Sequence, residues 1–332
     1  MVTRVKLSSW NSGDNLKYVS VIDYGAKGDG SADDTAAFVA ALAVGSPVFV
    51  PAGTYIVSGI SVPANVSMAG SGRASVIKLK STSTLPVLSI GAGTDIKDLK
   101  IDGNKAAQTV TCHGILATDA IQSSIENVTI TNTKGDGINV TGTNTNYLQV
   151  TNCLITGFTK NGILVEAGKL VSIDTCYAGN SDAVASPGDG FSIASNGSTL
   201  NNISLVGCVS TGNVGRGYSI VGNTSKNVTD TSISDCHAFQ NTSHGFHLLT
   251  TERDQLTTCT AKTNGGDGFR VEGDVQHCRL SLCNAHNNTG YGIREVTAGS
   301  TPNFNGFIYS ITRNNGNDTV TKVGANSTVV SI

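Results

Sequence analysis

A glycine followed by a large apolar residue recurs at almost regular intervals along most of this chain. The eight pairs begin at Gly114, Gly137, Gly162, Gly190, Gly217, Gly245, Gly268 and Gly292. By subtraction, their successive spacings are 23, 25, 28, 27, 28, 23 and 24 residues. A period of about 20 to 50 residues is typical of stacked repeats, each of which buries its apolar face against its neighbours. The sequence therefore predicts a solenoid whose functional groups lie on its outer surface.

Cysteine and asparagine recur at fixed positions of the same repeat. Four cysteines precede a repeat glycine by nine residues, and an asparagine follows each of them by five: Cys208, Cys236, Cys259 and Cys283, with Asn213, Asn241, Asn264 and Asn288. We expect the asparagines to form a column at a turn, where they tolerate the left-handed conformation and bond their own kind. Cysteine packs as a small apolar side chain. We expect reduced core thiols, which favours folding in a reducing cytoplasm.

The residues between these positions alternate in polarity. Phe269 and Val271 are apolar, whereas Arg270 and Glu272 are charged. This period of two indicates strands with one buried face. A repeat of roughly 25 residues with about three short strands predicts a parallel β-helix.

Composition limits the partners. The chain has 332 residues, a formal net charge of -2 and only 14% charged residues, so it lacks the basic surface that a nucleic-acid partner requires. No apolar run approaches the roughly 18 residues of a membrane span. The residues after Met1 contain no apolar stretch of the kind that a Sec-type signal carries. We therefore expect no nucleic acid and no membrane span.

About the first 80 residues carry a more specific pattern. They read VIDYGAKGDGSADDTAAF from Val21 to Phe38 and VFVPAGTY from Val48 to Tyr55. This opening resembles the pectate-lyase-like superfamily of right-handed parallel β-helices, which includes phage tailspikes, polygalacturonase relatives and uronate epimerases. The resemblance implies an all-β, single-stranded right-handed parallel β-helix with a short N-terminal capping helix at about residues 34–43. Carboxylates at the start of that helix suit its dipole.

The same resemblance implies a domain organisation, an oligomeric state and a location for the chain. We expect an N-terminal extension over 1–18, the β-helix with its cap over 19–300, and a C-terminal coil or capping segment over 301–332. Resemblance to tailspikes implies a homotrimer, a polysaccharide partner, and a place on a virion tail or outside the cell. A lyase of this kind would add calcium as a cofactor; we predict no other cofactor and no metal-binding residues.

Charge gathers on consecutive repeats, although the chain has little of it. The charged strip, as we call it, comprises Asp189, Arg216, His244, His247, Asp267, Arg270, Glu272 and Arg294. Glycan hydrolysis needs two carboxylates beside the bond. Elimination or epimerisation of a uronate needs a base and a cation that binds the carboxylate. We therefore predict as catalytic residues Asp189, Asp267, Glu272, His244, His247 and Arg270.

Other polar residues are predicted to bind substrate. Arg216 and Arg294 belong to the strip, and Tyr291 and Asn161 share its repeat positions. A segment that interrupts the repeat supplies Glu252, Arg253 and Asp254. A structural role explains several of the same residues. Asp in a Gly-Asp-Gly turn often serves the turn alone, and Arg270 with Glu272, two apart on one strand face, would as a surface ion pair contribute little energy.

Two classes of function remain open. The first is an enzyme that depolymerises a bacterial surface or extracellular polysaccharide, as a glycoside hydrolase or a polysaccharide lyase. The second is a non-catalytic fibre or adhesin that binds a glycan without cutting it. A uronate epimerase is a weaker third, because the chain lacks the Asp-Pro-His run that alginate epimerases carry. Few aromatic residues lie on the strip, which favours a charged glycan over a neutral one.

Overall fold

The chain winds into an all-β, right-handed parallel β-helix of about 12 coils, as the sequence predicts. The computed structural model describes residues 18–182, 188–223, 227–297, 302–303, 305–308 and 310–330. The predicted N-terminal extension lies outside the described residues, apart from Tyr18. None of the helices in these ranges has the length and apolar character needed to cross a lipid bilayer.

In the described residues, three long parallel sheets and one short sheet form the walls. Sheet A contains Val19–Ser20, Val48–Val50, Met68–Gly70, Asp95–Lys97, Ser124–Glu126, Gln149–Thr151, Ser172–Asp174, Ser204–Val206, Ser232–Ser234, Gln255–Thr257, Arg279–Ser281, Gly306–Ile308 and Thr328–Val330. Sheet B contains Asp29–Asp33, Gly53–Val57, Ser75–Leu79, Lys100–Asp102, Thr129–Thr131, Leu154–Thr156, Tyr177–Gly179, Val209–Thr211, His237–Phe239, Thr260–Lys262, Asn284–His286 and Ile311–Arg313.

Sheet C is the wall that matters most for function. It contains Ile60–Ser61, Leu88–Ile90, Ile115–Thr118, Ile138–Thr141, Ile163–Val165, Phe191–Ala194, Tyr218–Val221, Phe246–Leu249, Phe269–Glu272 and Ile293–Val296. Sheet D, beside it, contains Gly168–Lys169, Leu200–Asn201 and Val228–Thr229.

Six of the eight cysteines lie where the chain turns from sheet A to sheet B: Cys153, Cys176, Cys208, Cys236, Cys259 and Cys283. Thr258, for example, adopts a left-handed φ of 55°, and Cys259 follows it into the core. The thiol of Cys259 donates to the carbonyl oxygen of Ile233 on the preceding coil at 3.4 Å. All eight cysteines are buried and none forms a disulfide. The prediction of reduced core thiols is confirmed in the structure.

The asparagine column forms a buried ladder between sheets B and C. Each Nδ2 donates to the Oδ1 of the next member, at 3.0, 3.0, 2.9 and 2.8 Å along Asn213, Asn241, Asn264, Asn288 and Asn315. The ladder residues do not adopt the expected left-handed conformation. The residue before them does, as at Gln240 (φ 52°) and Thr263 (φ 57°).

The repeat glycines follow this ladder, where successive coils approach most closely. A Cβ on Gly245 would lie 2.7 Å from the carbonyl oxygen of Gly268 and 2.8 Å from Cβ of Ala261. The aromatic residue after each glycine then stacks inside the solenoid. Ring centroids are 4.9, 4.5 and 4.8 Å apart along Phe191, Tyr218, Phe246 and Phe269. The glycine recurs because neighbouring coils approach closely at that position, and the aromatic residue recurs because its ring stacks in the core.

The α-helix Thr35–Leu42 covers the N-terminal end of the core, burying Phe38, and the structure also contains the 3₁₀ helices Val21–Tyr24, Gly72–Ala74 and Lys105–Ala107. Asp34 is buried and accepts hydrogen bonds from the amides of Lys27 (2.7 Å) and Gly28 (3.2 Å). Its side chain makes no capping bond to the helix. Asp34 therefore holds the preceding glycine-rich turn against the helix start.

The C-terminal end of the core is closed by a buried acid. Glu295 occupies the inward position that pairs with Val271 on the preceding coil. Its carboxylate accepts hydrogen bonds from Asn305 Nδ2 (2.9 Å), Ser327 Oγ (2.8 Å) and the amide of Val323 (2.9 Å). Strands beyond residue 300 continue sheets A and B, so the C-terminal segment extends the solenoid.

Candidate functional site

Sheet C carries the charged strip along its outer face. Parallel pairing places side by side Ser192, Ser219, His247, Arg270 and Arg294. Phe269 and Val271 alternate with the outward residues and are buried, as predicted. Because each coil rises about 4.8 Å, the strip extends about 19 Å from Asp189 to Tyr291.

The centre of the strip is one network of four side chains on two adjacent coils. Arg270 donates from Nε to Oε2 of Glu272 at 2.7 Å and from NH1 to Oδ2 of Asp267 at 3.1 Å. His247 Nε2 lies 2.9 Å from the same Oε2 of Glu272. No described residue bonds Glu272 Oε1 or Arg270 NH2, so both atoms are available to a ligand.

The network fixes the charge of its members. The hydrogen bond from Arg270 lowers the pKa of Glu272 to about 2, so this carboxylate is ionised at neutral pH. Burial lowers the pKa of His247 to about 3, so its ring is neutral. A neutral ring beside an ionised carboxylate carries its proton on Nε2. Nδ1 of His247 is then a buried acceptor, and no described group bonds it.

The side chains of Asp267 and His244 accept hydrogen bonds from backbone amides. The amide of Asp267 donates to Nδ1 of His244 at 2.8 Å, and the amide of Tyr291 donates to Oδ1 of Asp267 at 2.8 Å. Asp267 is only 3% exposed. The sequence predicts this column on the exterior. Instead, its acceptor side chains bend onto the next coil and satisfy an amide there, which leaves Asp267 little freedom to act on a substrate.

Asp189 repeats this arrangement at the other end of the strip. Its Oδ1 accepts the amide of Arg216 at 2.7 Å, and Arg216 NH1 lies 3.7 Å from its Oδ2. Burial raises the pKa of Asp189 above its usual value. Three coil rises of about 4.8 Å put Asp189 about 14 Å from Glu272 along the axis. Glycosidase carboxylates lie about 5 to 9.5 Å apart, so these two do not flank one bond.

The C-terminal end of the strip adds an aromatic ring and a cation. The guanidinium carbon of Arg294 lies 4.5 Å from the centroid of the Tyr291 ring. Such a cation–π contact holds the guanidinium in place while leaving its N–H groups for an anion. Arg294 pairs with Arg270 on the adjacent coil, and the amide of Tyr291 bonds Asp267 there.

The segment Thr250 to Asp254 does not project as a binding loop. Asp254 is fully buried, its Oδ1 accepts the amide of Thr231 at 2.8 Å, and burial raises its pKa to about 6. Arg253 instead pairs with Asp230 through two bonds of 2.8 Å. Glu252 bridges to the adjoining coils in line with sheet D. The prediction that Asp254 contacts substrate is therefore corrected, because its carboxyl faces the core.

A cleft nearer the N-terminus was missed by the sequence prediction, apart from Asn161. This N-terminal cleft has a volume of about 400 Å³ and is lined by His113, Asp136, Asn139, Lys160, Asn161, Leu164 and Glu166. Most of these residues share the repeat positions of the charged strip, which is the signal that could have found them. Asn161 thus lies apart from the strip, bonding Asp136 at 2.9 Å.

Within the described ranges, no group of three His, Cys, Asp or Glu residues could hold a metal ion. Calcium with a lyase activity stays a prediction, since a bound substrate could itself contribute carboxylate ligands.

Comparison with known proteins places the chain in a family. Residues 18–238 match the family described as rhamnogalacturonase A/epimerase, pectate lyase-like. The chain belongs to that family. The chain is also similar to the pre-neck appendage protein of Bacillus phage phi29, with 31% identity over 201 residues. The match covers 50% of this chain and 23% of the appendage protein, so the chain spans less than a quarter of that relative.

Two solved structures share the fold of this family member. The A-module of mannuronan C-5 epimerase AlgE4 from Azotobacter vinelandii has a TM-score of 0.75 at 21% identity, covering 94% of this chain and 100% of that one. The Dettilon tailspike protein has a TM-score of 0.74 at 14% identity, covering 89% and 62%. At these identities the likeness concerns the fold alone. The family therefore links the fold to both phage appendages and polysaccharide-processing enzymes.

Proposed function

We propose that this chain is the glycan-processing part of a phage appendage, which binds a carboxylated bacterial polysaccharide along the charged strip and cuts it by elimination. One observation carries the proposal: Glu272 is held ionised, no described residue bonds its Oε1, and it lies beside Arg270 on its own coil and Arg294 on the next. The match to a phage pre-neck appendage protein supports the setting.

Three arginines suit a polymer with regularly spaced carboxylates. Arg216 is two coil rises from Arg270, and Arg294 is one, so the three cations span about 14 Å along the axis. Guanidinium groups bind carboxylates through paired N–H donors. A uronate chain that runs along sheet C would present one carboxylate to each of them.

Elimination requires a base, a cation and a hydrogen-bond donor for the leaving oxygen, and the strip offers all three. Glu272 Oε1 takes the proton from the carbon next to the substrate carboxylate, which Arg270 or Arg294 holds. The electrons form a carbon–carbon double bond as the neighbouring glycosidic C–O bond breaks. The leaving oxygen takes its proton from water, and the proton on Glu272 returns to solvent, so no net charge is left on the protein. His244 keeps its proton on Nε2, because Nδ1 accepts the amide of Asp267, and Nε2–H stabilises the leaving oxygen by a hydrogen bond.

The low pKa of Glu272 is compatible with this role only if substrate changes it. A carboxylate with a pKa of about 2 is a weak base. When Arg270 turns to the substrate carboxylate, it loosens its bond to Glu272, and the pKa of Glu272 rises. Substrate binding therefore activates the base. Hydrolysis is less well supported, because Asp189 is too distant from Glu272 and both oxygens of Asp267 are occupied.

A second candidate is a glycan-binding appendage without catalysis. The backbone bonds of His244, Asp267 and Asp189 favour it, since they give these side chains a structural task. Epimerisation begins with the same proton abstraction as elimination and stays a third, weaker candidate.

The test incubates the chain with mannuronan, polygalacturonate, rhamnogalacturonan and a set of bacterial capsular polysaccharides, with calcium or with a chelator. Reducing ends together with ultraviolet absorbance from the new double bond support elimination. Reducing ends alone would replace it by hydrolysis, and a changed uronate signal in the proton NMR spectrum without cleavage would indicate epimerisation. Binding by affinity electrophoresis with no product would favour the binding appendage. A signal that the chelator abolishes would assign calcium.

Assembly is part of the proposal. We expect a homotrimer on the virion, folded in the reducing cytoplasm before assembly. The outer face of sheet B is the best contact surface, because Leu154, Tyr177, Val209 and Phe239 lie there only half-buried on neighbouring coils. Light scattering coupled to gel filtration gives the mass, and Phe239→Asp should shift a trimer toward monomer.

A further inference from the structure

The N-terminal cleft lies on the same face as the charged strip but is not part of it. Asp136 is five coil rises from Asp267, which corresponds to about 24 Å. The two places share one local design. The amide of Asp136 donates to Nδ1 of His113 at 3.1 Å, as the amide of Asp267 does to His244 at 2.8 Å.

Asn139, on the floor of the cleft, has an unused acceptor. Its Nδ2 donates to Asp136 Oδ2 at 3.1 Å and lies 3.5 Å from Glu166 Oε2. Its Oδ1 is buried and has no partner among the described residues, although the residue is only 5% exposed. Buried polar atoms are nearly always bonded. An unpartnered acceptor in the lining of a cleft therefore points to a ligand that brings an O–H or N–H donor.

The charges of the cleft differ from those of the strip. Asp136 is 1% exposed and is held by the amide (2.8 Å) and Nδ2 (2.9 Å) of Asn161, so it fixes the floor. Glu166 and Lys160 form the accessible rim, one acceptor and one donor. With two carboxylates and one lysine, the cleft repels a carboxylated sugar and accepts one rich in hydroxyl or amide groups.

We propose that the N-terminal cleft is a second saccharide subsite, which binds a neutral or N-acetylated sugar unit through Asn139 Oδ1, Glu166 and Lys160. The inference rests on the proposed function for its polymer and adds to it: the substrate is a heteropolysaccharide in which uncharged units accompany the carboxylated ones. The charged strip binds the acidic units, and the cleft anchors the chain several sugars away.

Saturation-transfer NMR on the whole chain tests the subsite directly. The probes are the methyl glycosides of glucose, galactose, N-acetylglucosamine and N-acetylgalactosamine, with sodium glucuronate as the acidic comparison. We expect at least one methyl glycoside to bind. Lys160→Ala and Glu166→Ala, at rim positions where truncation leaves the core intact, should each weaken that binding about tenfold, since a bond to a charged group is lost. Lys169→Ala, an exposed lysine on sheet D, is the matched control and should change nothing.

Two results would overturn the subsite: no signal from any of the four methyl glycosides, or a signal that survives both rim substitutions. Stronger binding of glucuronate, lost in the same variants, would reject the assignment of an uncharged sugar. Glu272→Gln should leave the methyl glycoside signal intact. Loss of cleavage and loss of this subsite are thereby separate outcomes, and the absence of any cleavage activity would not by itself remove the subsite.

Discussion

Nε2 of His247 lies 2.9 Å from Oε2 of Glu272 on the next coil, so a neutral imidazole and an ionised carboxylate share one proton between adjacent strands of sheet C. Arg270 bonds the same carboxylate oxygen at 2.7 Å. Oε2 of Glu272 therefore accepts from two donors, whereas no described residue bonds Oε1. This asymmetry distinguishes Glu272 from Asp267, whose two oxygens are both bonded within the protein.

Glu272→Gln should remove activity while preserving the fold. The amide keeps the size of the side chain but cannot accept a proton, so we expect the rate of polymer cleavage to fall about 100-fold or more. The melting temperature should change by only a few degrees, because Glu272 is partly exposed. Glu126→Gln, on the exposed face of sheet A, is the control. Retained cleavage in Glu272→Gln would exclude this residue as the base.

Asp267→Asn should act mainly on stability. Asparagine can still accept the amide of Tyr291, but its NH2 group would face the NH1 donor of Arg270. We expect a loss of about 2 kcal/mol in the free energy of unfolding, as for a buried charge-assisted bond. Urea denaturation measures it. If Asp267→Asn instead abolished cleavage at unchanged stability, Asp267 would return to the catalytic set.

The solenoid could be predicted from the sequence because the residues that recur with its period lie in the core. The glycine, aromatic, cysteine and asparagine columns each mark a position where burial or close approach permits few residue types, as at Gly245. Polar residues carry less information. The sequence shows Asp267 and Glu272 only as two carboxylates. Which of them accepts a backbone amide depends on side-chain conformation, which the sequence does not reveal. Asp254 likewise reads as part of a polar loop, although its carboxyl enters the core.

His247 should make stability depend on pH in the mildly acidic range. Its folded pKa of about 3 lies below the ordinary value of 6.5, so the unfolded chain binds the proton first. Stability is therefore lost as pH falls below 6.5, by about 2 kcal/mol between pH 7 and pH 5. Burial lowers the pKa of His244 as well, so His244 also makes the protein less stable as the pH falls. Glu272 contributes only about 0.2 kcal/mol in this window, since its ordinary and folded values, 4.5 and about 2, both lie below it.

The check is the difference in unfolding free energy between the wild type and His247→Gln at each pH. Glutamine can still donate to Glu272 but does not titrate. A difference that stays constant from pH 7 to pH 5 would show that His247 is not held neutral by burial.

Asp254→Asn should have the opposite pH signature and no effect on glycan binding. The folded pKa of about 6 exceeds the ordinary 3.8, so the native state retains a proton that the unfolded chain releases. Wild-type stability therefore declines as pH rises from about 4 to 6, whereas the asparagine variant does not titrate. We expect the variant to gain about 2 kcal/mol relative to wild type between pH 4 and pH 8. Weakened glycan binding at unchanged stability would contradict the buried placement.

Asn241→Ala tests the ladder that joins the coils beside the charged strip. Asn241 donates from Nδ2 to Asn264 at 3.0 Å, and its Oδ1 accepts from Asn213 at 3.0 Å. Alanine would leave buried donors and acceptors on both neighbours without partners, so we expect a loss of about 3 kcal/mol in the free energy of unfolding. Asn144→Ala, at an exposed turn without a left-handed φ, is the matched control. Equal stability of the two variants would mean that neighbouring coils, rather than the asparagine ladder, hold this corner of the solenoid and thereby the register of the strip.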